Sequence, residues 1–265
     1  MAQIITAGVD LGSTYAKVVV MKGTEVVGYA ISPTGADHDE TAKKTLKRAC
    51  RIGKVNPERI EYMVSTGYGR RVVSFSDESI SEISANATGV EHIARTQNIR
   101  TIIDIGGQDT KVIALDDDLK MTKFAMNDKC AAGTGRFLEI LARVLKVDLD
   151  DMGELSLSSK KPVDITSTCL VFAKSEVATL IFKGEKKEDI IAGIHKAVAR
   201  RLLGMAKKVG IRDNVFFDGG PARNIGMIAA LEAELGRKMI VPPMPQIVTA
   251  TGAAIIARKR LLKGQ

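Results

Sequence analysis

Apolar residues occur in this chain in two patterns, short β-branched runs and longer segments with helical periodicity. The first run, Ile4–Val9, is apolar at nearly every position and predicts a buried central strand. Two more runs, Ala16–Met21 and Glu25–Ile31, are separated by Lys22-Gly-Thr. That spacing predicts a hairpin directly after the first strand.

The helical pattern is clearest in Glu188–Val209, where apolar residues recur on one face and predict a core helix. Other helices are predicted at Asp39–Ile52 and Ser81–Thr96, after Cys130, after Cys169, from Ile225 and from Thr251. Further strands are predicted at Ile60–Thr66, Ile103, Val215 and Met239–Val241.

One segment of the chain is repeated. Ile103–Val112 repeats Val9–Val18 at one fixed offset, and β-rich sequence follows each copy. A single Asp-x-Gly turn is common without a ligand, but two copies indicate a duplication. We therefore expect two lobes of related fold whose phosphate-binding turns face each other across a cleft. The matched pairs are Asp10 with Asp104, Gly12 with Gly106, and Lys17 with Lys111.

The composition of these turns suits a nucleotide. Glycine allows close backbone approach, hydroxyls and amides can bind phosphate, and a carboxylate can hold Mg²⁺ through water. The diglycine turn after Val215 would let adenine or ribose approach the backbone. The predicted catalytic residues are Asp10, Asp104 and Gln108. The predicted nucleotide-binding residues are Gly12, Ser13, Thr14, Lys17, Gly106, Gly107, Gly133, Gly135, Gly219, Gly220 and Asn224.

Cys130 precedes a glycine-rich turn and an amphipathic helix, and Cys169 precedes a second predicted helix. Outward-pointing helix amides there would favour a thiolate or an anionic ligand, although a buried apolar cysteine is an alternative for Cys130. Two thiolates do not complete a metal site, and a two-fold dimer would supply two more. Cys50 is expected on the buried face of its helix, without chemistry.

Composition narrows the class of protein. The formal net charge is +8, but the basic residues cluster on predicted helices without interleaved aromatics, so we expect solvated faces rather than nucleic-acid binding. No stretch of eighteen apolar residues predicts a membrane span, and the start lacks an export signal. We therefore expect a cytoplasmic protein, in which three cysteines favour metal or redox use over disulfides.

The order of these motifs resembles the actin, Hsp70 and sugar-kinase superfamily. Within it, Asn-Asp-Lys-Cys-Ala-Ala-Gly-Thr-Gly-Arg-Phe and Ser-Thr-Cys-Leu-Val-Phe-Ala are similar to the activator component of 2-hydroxyacyl-CoA dehydratases. The resemblance covers the whole chain. It implies an α/β, two-lobed actin-like ATPase fold of duplicated ribonuclease H-like domains, with residues 1–98 plus 251–265 in one lobe and 99–250 in the other.

The resemblance also implies a function. A homodimer would hold one 4Fe-4S cluster, with Cys130 and Cys169 of each subunit as ligands. A flavodoxin or ferredoxin would supply one electron, and Mg-ATP binding and hydrolysis would drive its transfer to the dehydratase. The alternatives are an ATPase subunit of a benzoyl-CoA reductase, a small-molecule kinase with Asp128 as base, and a zinc-bridged dimer without enzymatic activity.

Overall fold

The computed structural model describes residues 4–166 and 169–264. These residues form two compact units. The first comprises the described chain up to Ile99, together with Leu119–Met121 and the chain from Gln246 onward. The second comprises Arg100–Asp118 and Thr122–Pro245. The lobe boundaries expected from the sequence, and a cleft between the lobes, stay predictions.

The first unit is a mixed sheet with helices. Its strands are β1 (Ile5–Leu11), β2 (Tyr15–Lys22), β3 (Glu25–Pro33), β4 (Tyr62–Thr66) and β5 (Glu78–Ser79), and its helices are α1 (His38–Ile52), α2 (Glu82–Ile93) and α8 (Val248–Lys263). The strand order is β3-β2-β1-β4-β5. Every residue of β1 is buried, which confirms the predicted central strand. Short 3-10 helices lie at Pro57–Arg59 and Arg70–Val72.

The second unit repeats the central part of this sheet. Its strands are β6 (Thr101–Ile105), β7 (Thr110–Leu115), β8 (Met121–Asn127), β9 (Val215–Gly219) and β10 (Met239–Ile240). Their order is β10-β9-β6-β7-β8. β6 pairs antiparallel with β7 and parallel with β9, just as β1 pairs with β2 and β4. The shared pairing confirms the internal duplication and the α/β fold class.

Helices of the second unit enclose a large apolar core with β6, β7 and β9. They are α3 (Gly135–Leu145), α4 (Met152–Leu157), α5 (Leu170–Phe182), α6 (Lys187–Val209) and α7 (Ile225–Leu235), with a short 3-10 helix at Gly220–Arg223. Another 3-10 helix, Pro245–Ile247, lies where the chain passes from the second unit to the first. The apolar face predicted for α6 is buried, as expected. The last helix of the chain, α8, begins three residues before the predicted Thr251.

Two elements of the second unit were given no bounds from the sequence, and each has a physical reason. β8 is an edge strand with mostly exposed residues, so it carries no alternation between buried and exposed positions. α4 has six residues, which is too short for a helical period to be recognised.

Close packing of α2 on α8 depends on glycine. A Cβ placed on Gly252 would overlap the Ala85 carbonyl oxygen and lie 2.6 Å from Gly89 N. Gly8 of β1 faces α8 in the same way, at Ala250 and Ala254. The backbones therefore touch, and no larger side chain fits between them.

We predict that Gly252→Ala lowers the free energy of unfolding by about 1–3 kcal/mol or more, because the added methyl forces the two helices apart. Gly204→Ala is the matched control, since Gly204 is also helical but a Cβ there meets nothing within 4 Å. That change should stabilise the protein by about 0.5–1 kcal/mol through helix propensity. Urea unfolding measures both; equal stability of Gly252→Ala and the parent protein would contradict the packing described here.

Candidate nucleotide and cysteine sites

The first predicted phosphate turn follows β1 directly. Asp10 is buried at the end of the strand, and its Oδ2 accepts a charged hydrogen bond of 2.9 Å from Lys17 Nζ. A Cβ on Gly12 would lie 3.0 Å from Tyr15 O and 3.2 Å from that nitrogen, so a larger residue would crowd the turn. Ser13 and Thr14 are half-buried beside it. One carboxylate, one cation and two hydroxyl-bearing residues therefore meet at this turn.

The loop 67–69, which follows β4, packs on this turn. Gly67 has φ +88°, and a Cβ there would lie 2.5 Å from Asp10 Oδ1. Gly69 N donates to Leu11 O at 2.8 Å. The paired glycines after β4 were therefore a signal for close approach to Asp10.

The second predicted turn has a different charge arrangement. Lys111 is fully buried, and its Nζ lies 3.3 Å from Asp104 Oδ2 and 2.9 Å from Asp109 Oδ2. Gly106 N donates to Asp109 O at 2.9 Å and closes the turn. Gln108 is exposed at its tip. One buried lysine thus bridges two carboxylates at the base of this turn.

The duplicated lysines have consequently diverged. The Lys17 side chain is 21% exposed, whereas the Lys111 side chain is 0% exposed. The position of Tyr15 in the first copy is taken in the second by Asp109, which supplies the additional carboxylate. Lys17 is therefore placed to contact a ligand, and Lys111 is placed to hold its own turn together.

The diglycine turn lies beside the second turn. Asp218 of β9 is buried and stands in register with Asp104 of β6. Gly219 has φ +88°, and a Cβ on it would lie 2.8 Å from Asp104 Oδ1, while Gly220 is exposed. Asp218 was missed by sequence reasoning, although its place directly before two glycines parallels that of Asp104 before Gly106-Gly107.

Asn224 is the last residue of the segment 219–224, hereafter the diglycine segment, and it caps α7. Its Oδ1 accepts from Met227 N at 2.9 Å, and its Nδ2 lies 3.3 Å from His195 Nε2. Burial lowers the pKa of His195 to about 4, so the ring is neutral near pH 7. The Asn224 side chain is thus bonded within the protein, and its contact with a nucleotide stays a prediction.

The expectation that outward-pointing helix amides surround Cys130 is wrong. α3 begins five residues later, at Gly135, and its first two amides are already used. Gly135 N donates to Gly106 O at 2.9 Å, and Arg136 N donates to Gly107 O at 2.8 Å. The helix start is therefore bonded to the second phosphate turn, because that turn's carbonyls satisfy the amides that a helix leaves open.

The loop that carries Cys130 is held by side-chain hydrogen bonds instead. Asn127 Nδ2 donates to Cys130 O at 2.8 Å and to Ala132 O at 3.1 Å. Thr110 Oγ1, at the start of β7, donates to Gly133 O at 2.6 Å. The cysteine loop is consequently attached to the end of β8 through Asn127 and to the start of β7 through Thr110. Cys130 itself is half-buried.

Cys169 fits its prediction better, because it is the N-cap residue of α5 and its carbonyl accepts from Ala173 N at 2.8 Å. It is exposed. Thr166 donates through its amide and its hydroxyl to Glu176 Oε1, at 3.0 and 2.9 Å, which ties Thr166 to α5. The hydroxylated residues Ser167 and Thr168 lie outside the described residues.

The other candidates are less favourably placed. Cys50 is buried on α1 as expected, and burial raises the pKa of its thiol. Asp128, the base of the kinase alternative, is exposed between β8 and α3. Within residues 4–166 and 169–264, no three or more His, Cys, Asp and Glu side chains are grouped to hold a metal. None of the helices in this part of the chain is long and apolar enough to span a membrane.

The fold is that of actin-like ATPases and sugar kinases. A hexokinase of the ROK family from Thermus thermophilus shares it with a TM-score of 0.54 at 16% identity over 98% of this chain and 100% of its own, a likeness of fold alone. The chain belongs to the BadF/BadG/BcrA/BcrD ATPase family, whose model matches residues 7–257. The expected enzyme class, an ATPase, is thereby confirmed.

Comparison with individual relatives makes the resemblance to known proteins more specific. The 2-hydroxyisocaproyl-CoA dehydratase activator of Clostridioides difficile is 44% identical over 95% of this chain and 94% of its own. The (R)-2-hydroxyglutaryl-CoA dehydratase activating ATPase of Acidaminococcus fermentans is 43% identical over 98% and 99%. The structure of the Clostridium difficile activator with bound ADPNP superimposes with a TM-score of 0.94, at 42% identity over 99% and 97%. The resemblance to dehydratase activators is confirmed.

We predict different costs for removing the two duplicated lysines. Lys111→Met should lower the free energy of unfolding by about 3–5 kcal/mol, because it leaves buried carboxylates without their shared cation. Lys17→Met should cost less, since the Lys17 side chain is 21% exposed and water already screens part of its attraction to Asp10. Urea unfolding of both variants without nucleotide gives the comparison. Equal losses would show that Lys111 does not hold the second turn.

Proposed function

We propose that this chain is a cytoplasmic, ATP-hydrolysing activator of a 2-hydroxyacyl-CoA dehydratase. In this proposal it acts as a homodimer, takes one low-potential electron from a flavodoxin or ferredoxin, and passes it through a shared 4Fe-4S cluster to the dehydratase. Its support is the family, the names of the relatives, and above all one structural observation. The second phosphate turn is hydrogen-bonded to the start of the helix behind Cys130.

The nucleotide would be held by both turns. Lys17 is the exposed cation for the phosphates, and Gly12 and Gly106 let the chain approach them closely. Asp10 and Asp104 are buried carboxylates at strand ends, suited to hold Mg²⁺ through water. The backbone of Gly219 and Gly220 would face the adenosine. Charge stabilisation by these groups, rather than covalent chemistry, would carry hydrolysis.

In this proposal each subunit supplies half of a cluster site. Cys130, which is half-buried, and Cys169, which is exposed, would be its two thiolate ligands. Within the described ranges, no group of three or more His, Cys, Asp and Glu side chains could hold a metal in one chain alone. A second copy would supply two further thiolates, as a symmetric interface allows. The bound cluster would supply one-electron transfer. The exposure of Cys169 suits a site shared between subunits.

Coupling would follow from the backbone bonds already described. If phosphate binding moves Gly106 and Gly107, their carbonyls must carry Gly135 and Arg136 with them or break two hydrogen bonds. Thr110 adds a third link, because its hydroxyl bonds the cysteine loop at Gly133. A shift in the second turn would therefore be felt at Cys130.

We predict that Asp104→Asn lowers kcat for ATP hydrolysis by at least about a hundredfold, because it removes a charge at the reacting phosphates. Asp128→Asn is the control. It should keep the parental rate, whereas the kinase alternative makes Asp128 essential. Phosphate release by anaerobically purified protein measures both, and parental hydrolysis by Asp104→Asn would refute this assignment.

We predict that Cys169→Ser loses bound iron and much of the dimer but still binds ATP, since Cys169 is exposed and unneeded for the core. Cys50→Ala should keep its iron.

In the parent protein, a chelator should strip iron at different rates without nucleotide, with ADP and with a non-hydrolysable ATP analogue. Thr110→Val should reduce those differences, because it removes the bond to Gly133. Equal stripping rates in the parent protein would refute the coupling.

A further inference from the structure

His195 is a buried titratable residue of α6 that has no part in the proposed chemistry. Its ring lies where α4, α6 and α7 pack closely: a Cβ on Gly226 would be 3.0 Å from its Nδ1 and 2.8 Å from Gly153 O. Within the described part of the chain, Nδ1 has no hydrogen-bond partner. Burying such a group costs more than burying an apolar side chain of similar size. Packing alone therefore does not account for a histidine here.

The bond between His195 and Asn224 fixes the form of the ring. Asn224 Oδ1 accepts from Met227 N, so the other end of the amide, the donor Nδ2, faces His195 Nε2 at 3.3 Å. An amide nitrogen only donates, hence Nε2 must accept and carry no proton. The ring is then neutral with its proton on Nδ1. His195 is thus an acceptor that holds one orientation of the Asn224 amide.

Asn224 occupies a sensitive position. The diglycine segment begins at Gly219, next to Asp104, and ends at Asn224. The backbone N–H of Asn224 donates to Pro221 O at 3.0 Å. The segment is therefore anchored at one end by the second phosphate turn and at the other by the capped start of α7. If the side-chain amide of Asn224 could rotate, its capping bond from Met227 N would weaken, and the segment would be held less firmly at this end.

We propose that His195 is a positioning residue for nucleotide binding: its Nε2 orients the Asn224 amide, and this holds the diglycine segment where adenosine is to bind. The inference rests on the proposed nucleotide site, but it assigns a role to a residue outside that site. It also predicts a spectroscopic property, since ¹⁵N shifts of the His195 ring should show the neutral Nδ1–H tautomer.

Two substitutions of His195 distinguish a role in orienting the Asn224 amide from a role in packing alone. In His195→Gln the side-chain amide reaches the place of Nε2 and can still accept from Asn224, whereas His195→Asn places its amide at Nδ1 and cannot reach. We expect His195→Asn to bind MgADP about three- to tenfold more weakly, the value of one net hydrogen bond. His195→Gln should bind within about twofold of the parent protein, and kcat for hydrolysis should change less than the affinity in both variants.

Leu202→Ala is the control for a loss of stability, because Leu202 is fully buried on the same helix. It should lower the unfolding midpoint without changing the affinity for MgADP. Calorimetric titration of the anaerobic holoprotein gives all four affinities. Parental binding by His195→Asn, equal weakening in His195→Asn and Leu202→Ala, or an Nε2–H tautomer would each overturn the inference. Failure of the parent protein to bind MgADP would instead refute the proposed nucleotide function, and the tautomer would still report on the bond to Asn224.

Discussion

The two backbone hydrogen bonds from the start of α3 to the second phosphate turn decide how this protein can work. A helix start leaves amides that need acceptors, and here Gly106 and Gly107 provide them. Neither the turn nor the helix can therefore change its backbone course alone. Any ligand-driven shift of the turn's backbone would therefore be passed to the start of α3.

Duplication produced two similar strand pairs that now carry different electrostatics. The Lys17 side chain, paired with Asp10, is partly exposed, whereas the Lys111 side chain is fully buried between Asp104 and Asp109. The second copy has Asp109 where the first has Tyr15, and its lysine bridges two carboxylates of its own turn. The second copy, in which Lys111 holds the turn together, is also the copy that is bonded to α3. The more firmly held turn is therefore the one whose displacement would reach α3.

Much of the fold could be predicted from the sequence because buried strands and amphipathic helices carry periodic signals. β1, α1 and α6 show such patterns over many residues, and the repeated Asp-x-Gly turn identified the duplication. β8 could not be found, because an exposed edge strand has no buried face. The amide environment of Cys130 was misjudged since a helix start can be read to within only a few residues, and five residues decide which atoms its amides meet. Asp218 and His195 escaped notice because their neighbours in space are distant in sequence.

The first unit is formed by residues from both ends of the sequence. β1 to β5 come from the beginning, but the helix that covers β1 is α8, fixed there by Gly8 and by the 3.1 Å hydrogen bond from Thr6 Oγ1 to Ala254 O. During synthesis on the ribosome, these strands emerge first and their covering helix last. Nearly all of the second unit is contiguous and can fold while the first still exposes the apolar surface that α8 will cover. The usual order, in which the N-terminal unit folds first, is thus reversed for this topology.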